Sequence, residues 1–563
     1  MSTPTIPDLE AYTFHEKDIE SYDRLISEFE WEVPEQFNIA QYACDRWAED
    51  KSKVALFGSD SDGNRTTYTY WELRRITNQL ANYLTSQGIK KGDRVGVNLP
   101  QKPETAMAHL AVWKAGAVSV PLSTKFGPEA LKHRLGDSGA KACIADATNV
   151  DAIRSVTDKI DAMGTVLVEG TEAAGRDEVR FWDVISEESD EFELVDTAAE
   201  DDALIIYTSG TTGKPKGVRH AHRGFIGHFP QFIASVCDMS ITQTDVVWTP
   251  AEWAWIATVM ASITPALYHG IPVVAHHEDG PFDPESAFRI IDEYGVTISF
   301  FPPTALRMMI EEDHLVNEYT LDSMRVITSG GESLGTDIET WCEDVFDGVK
   351  IHEVYGQTEA NTLISDSTTL FPRRPGRMGR PIPGHEVEIL DPETHKRVEP
   401  GEIGEISVRY ESDPICFKEY WNKPEKTAEK VQDGWLLTGD LGSADEDGYV
   451  KFEGRKDDVI ITAGYRIGPD EIEDTLATHD AVVSAAVIGI PDDERGEVPK
   501  SFVTLSEGTE PSNQLRHDLQ QHVKDQLARY EYPREIEFVD AFPTTATGKI
   551  QRAKLREREG LEP

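Results

Sequence analysis

The sequence has few cysteines, far fewer basic residues than acidic ones, and no long uninterrupted apolar run. Its five cysteines are widely spaced and none belongs to a CxxC pair. That pattern favours neither a disulfide framework nor a cysteine zinc site. The most apolar stretch, 246–275, is interrupted by prolines, a glutamate and a histidine. We therefore expect it to be a buried core segment and not a membrane span.

The first 32 residues are polar and acidic, without a cationic start or an apolar core. This indicates that no conventional signal peptide is present, and we expect a cytoplasmic location. Lysine and arginine total 55 against 101 aspartates and glutamates, which gives a net charge of −46. A nucleic acid, itself a polyanion, would be repelled by such a chain.

The same net charge indicates that the protein works in an unusual solvent. Self-repulsion destabilises a compact state in dilute buffer. It becomes tolerable near about 1 M salt, where the screening length falls to about 3 Å. We therefore predict a salt-rich cytoplasm, as in a halophilic archaeon. An acidic mesophilic protein is the alternative.

Helices alternate with short apolar strands through most of the 563 residues. Residues 71–87 carry apolar side chains at helical spacing, Gly88 follows as a C-cap, and a strand is expected at 93–99. The alternation recurs at 291–327, whereas 387–451 shows short strands and turns. These patterns predict an α/β fold with a large N-terminal domain of helix-covered, mostly parallel sheets and a small β-barrel-like section.

A charged run at 454–458 interrupts this alternation. The following residues, about a hundred, show helix and strand patterns of their own, as a separate small α+β domain would. We expect an N-terminal domain at 1–454 that binds the nucleotide and the acid. We also expect a hinge at 455–458 and a mobile C-terminal domain at 459–563.

The strongest local signal is the run YTSGTTGKPKG at 207–217, which follows an apolar strand. Small residues let successive backbone amides approach an anion, hydroxyls add donors, and two lysines add positive charge. The run is not the P-loop of NTPases, because Pro215 follows Lys214 and disfavours helical backbone before it. It predicts a phosphate-binding loop with the members Thr208, Ser209, Gly210, Thr211, Thr212, Gly213, Lys214 and Lys216.

Five further motifs follow in order along the chain. They are SGGES at 329–333, YGQTE at 355–359, WLLTGD at 435–440, GRKDD at 454–458 with GYR at 464–466, and PTTATGK at 543–549. With the phosphate loop, this series resembles the adenylate-forming superfamily, which includes acyl-CoA synthetases, luciferases and peptide-synthetase adenylation domains. The resemblance spans essentially the whole chain and is nearest to short- and medium-chain acyl-CoA synthetases.

The resemblance implies an acid–thiol ligase that uses ATP, coenzyme A and Mg²⁺. A carboxylic acid would be activated as an acyl-adenylate and then transferred to the thiol. In-line attack on the α-phosphorus builds negative charge on two oxygens, and a lysine between them would stabilise it. The catalytic residues that the resemblance implies are Lys549, Thr211 and Glu359. Glu359 and Thr211 would also hold Mg²⁺, because this hard cation prefers oxygen ligands.

The resemblance assigns further contacts to the nucleotide and to coenzyme A. Tyr355 would stack on adenine, Thr358 would bond the α-phosphate, and the two oxygens of Asp440 would accept from the ribose hydroxyls. The C-terminal domain would rotate about Asp457 between the two half-reactions. The remaining implied contacts to nucleotide, phosphate or pantetheine are Gly331, Glu332, Ser333, Gly356, Gln357, Arg455, Gly464 and Arg466.

The identity of the acid is less constrained. Acetyl-specific relatives carry tryptophan where this chain has Gly356, so glycine would leave room for a longer acid. Trp255 matches the tryptophan of the Asp-Thr-Gly-Trp pattern in medium-chain relatives, although 252–254 departs from that pattern. We expect an acyl pocket at Trp255, Gly330 and Gly356, and a short- to medium-chain acid longer than acetate.

Other interpretations stay open at this point. The enzyme could be an acetyl-CoA or aryl-CoA synthetase, or could adenylate an acid for a carrier protein. The run at 331–335 also matches the Gly-x-Ser-x-Gly elbow of serine hydrolases, with Ser333 as nucleophile. A non-enzymatic nucleotide-binding regulator is disfavoured by the intact Lys549, Glu359 and Asp440.

Overall fold

The computed structural model describes residues 6, 9–17, 19–174, 177–208, 214–332, 334–456, 458, 460–462, 465–492, 495–506, 508–527, 532–544 and 550–561, without the side chains of 461, 465, 466, 470, 471 and 496. These residues form two compact units. The first comprises the described residues within 1–209, 215–386 and 409–434; the second comprises those within 210–214, 387–408 and 435–563. The predicted hinge at 455–458 stays a prediction, and its Asp457 lies outside the described residues.

A nine-stranded sheet forms one half of the first unit. Its central strands are parallel, as predicted, and antiparallel strands close both edges. Its strands, in order across the sheet, are Arg380–Pro381, Asn361–Ser365, Lys350–Gln357, Val326–Gly330, Ile298–Phe300, Val247–Trp248, Val273–His277, Val54–Asp60 and Arg65–Thr69.

An eight-stranded sheet forms the other half. Six of its strands run parallel, and an antiparallel hairpin with one short extra strand closes one edge. In order across the sheet they are Glu419–Tyr420, Lys216–Ala221, Asp202–Thr208, Val118–Pro121, Arg94–Asn98, Ala142–Asp146, Thr165–Glu169 and Glu178–Arg180. A further short strand of this unit is Val431–Gln432.

Helices cover these sheets, and local signals set their ends. The predicted helix at 71–87 is observed as Tyr70–Ser86, where Thr69 and Glu72 form a capping box. The other helices of the unit are Tyr22–Glu28, Ile39–Ala43, Pro103–Lys114, Pro128–Ser138, Val150–Thr157, Phe181–Glu187, Arg223–Ile226, Phe229–Gln231, Ile256–Thr258, Thr264–Tyr268, Pro284–Tyr294, Pro303–Glu311, Thr336–Val345 and Pro424–Lys430. Short 3₁₀ and π turns are Glu10–Tyr12, Phe14–Glu16, Asp45–Trp47, Phe232–Val236, Val259–Ile263 and Asp313–Glu318.

The apolar stretch at 246–275 is core, as predicted. It forms two short strands, two short helices and a π turn whose apolar side chains are almost all buried. Within the part of the chain that the structure describes, none of the helices combines the length and apolarity needed to cross a membrane.

The second unit is a separate α+β body. It contains the strands that the sequence analysis placed in a barrel-like section of the N-terminal domain, and they are antiparallel. The strands of the C-terminal segment form a second sheet, and helices pack on that sheet. The strands are Val387–Leu390, Ile403–Arg409, Trp435–Ala444, Val450–Arg455, Ile460–Thr462, Tyr465–Ile467, Val482–Asp492, Gly496–Leu505 and Glu535–Phe538, and the helices are Pro469–Ala477, Asn513–Gln526 and Arg552–Arg558.

Candidate active site

The predicted phosphate loop connects two antiparallel strands. Thr208, at the end of one strand, lies opposite Lys216, at the start of the next. Because a strand and not a helix follows Lys214 and Pro215, the structure agrees that this is not the P-loop of NTPases. The ring nitrogen Nε2 of His133 donates to the carbonyl oxygen of Pro215 at 3.0 Å. The loop residues Ser209, Gly210, Thr211, Thr212 and Gly213 lie outside the described residues.

Glu359 is a buried carboxylate held by a neighbouring phenol. Only 7% of the residue is exposed. The hydroxyl of Tyr420 donates to its Oε1 at 2.5 Å, and the backbone N–H of Phe417 donates to its carbonyl oxygen at 2.7 Å. The sequence analysis missed Tyr420, since nothing local marks a tyrosine 61 residues away as a partner of Glu359.

This carboxylate suits the predicted Mg²⁺. Among the described residues, no group of three or more histidine, cysteine, aspartate or glutamate side chains is arranged to hold a metal. Mg²⁺ commonly binds through one or two carboxylates, with phosphate oxygens and waters as its other ligands. Glu359 therefore fits a metal that arrives with a polyphosphate.

Lys216 lies beside the same phenol. Its ammonium is 4.1 Å from the centroid of the Tyr420 ring, which is a cation–π distance. Burial lowers the pKa of Lys216, while the negative charge of Glu359 opposes that shift. The structure thus brings together two residues that the sequence analysis assigned to the nucleotide site, Lys216 and Glu359.

Two buried histidines form hydrogen bonds at or just after the YGQTE motif, one to its backbone and one to the side chain of Asn361. His220 Nε2 donates to the carbonyl oxygen of Thr358 at 2.8 Å, and the side-chain amide of Asn361 bonds Nδ1 of His228 at 3.2 Å. Burial lowers the pKa of His220 to about 4, so its ring is neutral near pH 7. The sequence offered no distinctive context for these histidines, whose role depends on the fold.

Gly356 lies at an irregularity of the ladder between the strands Lys350–Gln357 and Asn361–Ser365. A Cβ at this position would lie 1.3 Å from the carbonyl oxygen of Asn361. The close approach of two backbones therefore requires glycine here. The predicted role of Gly356 in leaving room for the acid stays a prediction. In the same strand, the predicted adenine-stacking residue Tyr355 is buried and Gln357 is half-buried.

The SGGES motif begins at the end of another parallel strand. Gly330 lies opposite Val354, and a Cβ there would be 2.2 Å from the Val354 carbonyl oxygen. Gly331 has φ +92°, which favours glycine. Glu332 accepts from Arg307 at 3.4 Å. Ser333 lies outside the described residues.

Trp255, predicted to line the acyl pocket, differs in exposure from the two tryptophans that precede it in the chain, Trp248 and Trp253. Trp255 is half-buried and packs edge-on against Phe126, with ring centroids 6.2 Å apart. Trp253 is 2% exposed, and its indole nitrogen has no partner among the described residues. Trp248 packs against Phe301 in the core. Of the three, Trp255 is the side chain most open to a ligand.

In the second unit, Asp440 lies opposite Arg455 across two antiparallel strands. Arg455 Nε is 3.8 Å from Asp440 Oδ1, and Asp440 is 9% exposed. Lys456 binds Glu405 at 2.9 Å. Arg466 lies on the strand Tyr465–Ile467, without a described side chain. Gly464, Asp457 and the predicted catalytic Lys549 lie outside the described residues.

Comparison with known families matches two segments of the chain. Residues 44–421 match the AMP-binding enzyme family. Residues 471–549 match the AMP-binding enzyme C-terminal domain.

Characterised and uncharacterised relatives agree with that match. The chain is 35% identical to the uncharacterized acyl–CoA ligase YtcI of Bacillus subtilis (strain 168), over 94% of this chain and 97% of that protein. It is 34% identical to the acetyl-coenzyme A synthetase of the same organism, over 99% and 97%. It is 33% identical to the mitochondrial acyl-coenzyme A synthetase ACSM3 of Rattus norvegicus, over 96% and 93%.

Solved structures share the fold. The anthranilate CoA ligase AuaEII, in complex with anthranoyl-AMP, has a TM-score of 0.82 at 29% identity, over 94% of this chain and 98% of that chain. ATP-bound MatB from Rhodopseudomonas palustris has a TM-score of 0.81 at 29% identity, over 92% and 98%. The chain belongs to the AMP-binding enzyme family, in the adenylate-forming superfamily, and is a ligase of the acyl-CoA synthetase type.

Proposed function

We propose that this enzyme converts a carboxylic acid, ATP and coenzyme A into acyl-CoA, AMP and pyrophosphate through an acyl-adenylate. The observation that carries the proposal is the buried Glu359, held by Tyr420 and adjacent to Lys216 at the strand that leaves the phosphate loop. A carboxylate for a hard cation and an ammonium for phosphate are the groups that ATP binding needs.

The first half-reaction uses groups from the motifs named above. Mg²⁺, when bound at Glu359 and Thr211, would neutralise charge on the phosphates. Lys216 adds positive charge beside them, and neutral His220 holds the backbone of Thr358 in place for its contact with the α-phosphate. Lys549 would stabilise the oxygens that gain negative charge during attack on the α-phosphorus.

The second half-reaction needs a different set of groups. We propose that the segment after 458 moves about the hinge at 455–458, so that Lys549 withdraws after adenylation. Gly464 would then lie beside the pantetheine, where a side chain would obstruct it, and Arg466 would meet phosphate. This division of roles gives each nucleophile its own environment at one site.

The preferred acid is proposed to be a short- to medium-chain acid longer than acetate. The half-buried Trp255 supports this, whereas the acetyl-coenzyme A synthetase of Bacillus subtilis and the acyl-coenzyme A synthetase ACSM3 of Rattus norvegicus are equally similar to the chain. Identity alone therefore does not choose between these acids. An aryl acid is the next alternative, because AuaEII acts on anthranilate.

A chain-length series tests the acid. Each methylene buried by the pocket adds about 0.8 kcal/mol, so kcat/KM should rise with chain length until the pocket is full. A maximum at acetate, or at an aromatic acid, would contradict the proposal. AMP formed with and without coenzyme A separates the ligase from an enzyme that loads a carrier protein, and ester hydrolysis without ATP would favour the Ser333 hydrolase.

A cytoplasmic location, a role in fatty acid metabolism and the absence of a nucleic-acid partner remain proposals from the sequence. The strong negative charge supports the last of these, because a nucleic acid is itself a polyanion and would be repelled. Localisation of a tagged chain in its native host would test the first of them.

A further inference from the structure

Glu405 is a buried carboxylate in the second unit that holds two distant segments together. The residue is 2% exposed and lies on the strand Ile403–Arg409. Its Oε1 accepts from the backbone N–H of Gly439 at 2.8 Å, and its Oε2 lies 2.9 Å from the ammonium of Lys456. The backbone N–H of Lys456 also donates to the carbonyl oxygen of Gly439 at 2.8 Å. One side chain thus fixes residues 439 and 456 to each other.

The two segments that this carboxylate joins are segments with predicted roles in the reaction. Gly439 comes immediately before Asp440, the predicted ribose ligand, and Lys456 comes immediately before Asp457, the predicted centre of the hinge. Asp440 and Arg455 also lie opposite each other in the ladder of two antiparallel strands. The chain up to Lys456 is therefore attached to the sheet that carries Asp440.

The other end of the predicted hinge contacts a different part of the unit. Asp458 Oδ2 is 3.7 Å from Arg552 Nη1, and the same guanidinium binds Glu473 at 2.7 Å. Glu473 and Arg552 each lie on a helix of the C-terminal segment. Asp458 is thus attached to that segment, whereas Lys456 is attached to the sheet. A single position, 457, separates the two attachments.

Stability alone is a weak reason for the ion pair of Glu405. Removing a carboxylate from water costs free energy, and an apolar pair of similar size often stabilises a fold as well. A buried ion pair can instead specify one geometry, because a displaced partner leaves an uncompensated charge. The backbone bond from Asp458 to the carbonyl oxygen of Arg455, at 3.0 Å, crosses the hinge and would be given up on rotation, at a net cost of about 1 kcal/mol.

We propose that Glu405 is a positioning residue for the change between the two half-reactions. It holds Asp440 and Lys456 in one rigid block, so that the movement begins after Lys456 and not within the preceding strand. This inference rests on the proposed movement about the hinge at 455–458. The residue that binds the ribose would then keep its geometry while the segment that carries Lys549 changes its orientation.

The double variant Glu405→Gln with Lys456→Met tests the proposal. It keeps a side-chain oxygen for the Gly439 N–H and leaves no buried charge unpaired, so we expect the melting temperature to change little. Without the ion pair, the end of the strand can move with the hinge. We expect kcat for acyl-CoA formation to fall about tenfold, because fewer molecules have a productive orientation, while KM for ATP stays within about twofold.

A distance measurement reports the movement itself. The five native cysteines are buried, so spin labels can be attached specifically at Glu446→Cys and Asp518→Cys. Both positions are exposed, the first between two strands of the sheet and the second on the helix Asn513–Gln526. With the native ion pair we expect discrete label–label distances. The double variant should lose these discrete peaks, and Lys456→Arg, which keeps the cation, should retain them.

A matched control removes an ion pair elsewhere in the same sheet. Arg397 binds Glu388 at 3.0 Å, and Glu388→Gln with Arg397→Met should leave kcat and the label distances unchanged. Discrete distances that persist in the variant of Glu405 and Lys456 would overturn the proposal. Loss of discrete distances in the control as well would also overturn it, since the loss of any ion pair would then loosen the unit.

The outcomes separate this inference from the proposed reaction. A wild-type enzyme that forms no acyl-AMP with any acid would remove the proposed reaction, and the label distances would still decide the role of Glu405. An enzyme that forms acyl-CoA, with unchanged label distances in the double variant, would keep the reaction and remove the inference.

Discussion

The phenol of Tyr420 donates a hydrogen bond to the carboxylate of Glu359, across 61 residues of sequence. Both side chains are buried, so the carboxylate is oriented by a fixed donor and not by solvent. A charge-assisted hydrogen bond of this kind is stronger than a neutral one. Tyr420 therefore orients the carboxylate of Glu359, which we propose to be a ligand of Mg²⁺.

Tyr420→Phe keeps the ring under Lys216 and removes only the hydroxyl. We expect the free energy of unfolding to fall by about 1–3 kcal/mol, since a buried carboxylate loses its donor. The Mg²⁺ concentration needed for half-maximal pyrophosphate release should rise severalfold, because Glu359 is no longer oriented. Tyr22→Phe, which removes a hydroxyl that donates to Pro381, is the control. It should lower stability without changing the Mg²⁺ requirement, and the same shift in both variants would contradict this role.

Gly356→Ala should be severely destabilising. The new Cβ would overlap the Asn361 carbonyl oxygen, so two strands must separate, at a cost of about 3 kcal/mol or more. Thermal unfolding measures this. Gly136→Ala, in the helix Pro128–Ser138, meets no atom within 4 Å and should be neutral or stabilising. A stable Gly356→Ala enzyme that merely prefers shorter acids would favour the pocket interpretation of this glycine over the backbone one.

Stability should decrease between about pH 4.5 and 7 because of Glu169. Burial is the main cause that raises the pKa of Glu169 to about 7, and hydrogen bonding with Asp146 adds to the shift. As pH rises through this window the unfolded chain ionises Glu169 while the folded chain does not, so folding loses free energy. Lys102, 3.0 Å away, offsets part of this.

Glu169→Gln should therefore become progressively more stable than the wild type from pH 5 to 7.5, by up to about 3 kcal/mol. Denaturant unfolding at constant salt measures the difference. Glu172→Gln, at an exposed carboxylate paired with Arg180, is the control and should show no such trend. A difference that stays constant with pH would exclude Glu169 as the titrating group.

Lys549→Ala should divide the two half-reactions. We expect adenylation to slow by about 10²-fold or more, since a charge contact present in the transition state is removed. Conversion of synthetic acyl-AMP and coenzyme A into acyl-CoA should continue at nearly the original rate. Pre-steady-state assays of each step measure this, with the exposed Lys554→Ala as control. Equal slowing of both steps would contradict the proposed withdrawal of Lys549.

Salt should stabilise this protein strongly. A net charge of −46 repels itself, and the repulsion weakens as the screening length shortens. The melting temperature should rise continuously with potassium chloride toward about 1 M and beyond. A melting temperature that does not respond to salt would favour an ordinary acidic mesophilic protein.

Local patterns were enough to predict much of the first unit. The apolar spacing at 71–87, together with Thr69 and Glu72, sets the helix Tyr70–Ser86, because both the buried face and the cap are encoded within one segment. The alternation of helices and apolar strands predicted the parallel sheets, because this pattern is also encoded within neighbouring segments of the sequence. The motif at 207–217 predicted a phosphate loop without a following helix, because Pro215 disfavours helical backbone at Lys214, the residue before it.

Contacts between distant segments could not be predicted in this way. Tyr420 reaches Glu359 only because Glu419–Tyr420 pairs with the strand Lys216–Ala221, which begins at Lys216. The clash that makes glycine necessary at 356 depends on the irregular pairing with Asn361. The sequence by itself determined the family and the order of its motifs, because each motif is a short local run. Only the tertiary structure decided which buried groups orient the residues that are predicted to bind ligands. Burial and hydrogen bonding join residues that are far apart in the sequence.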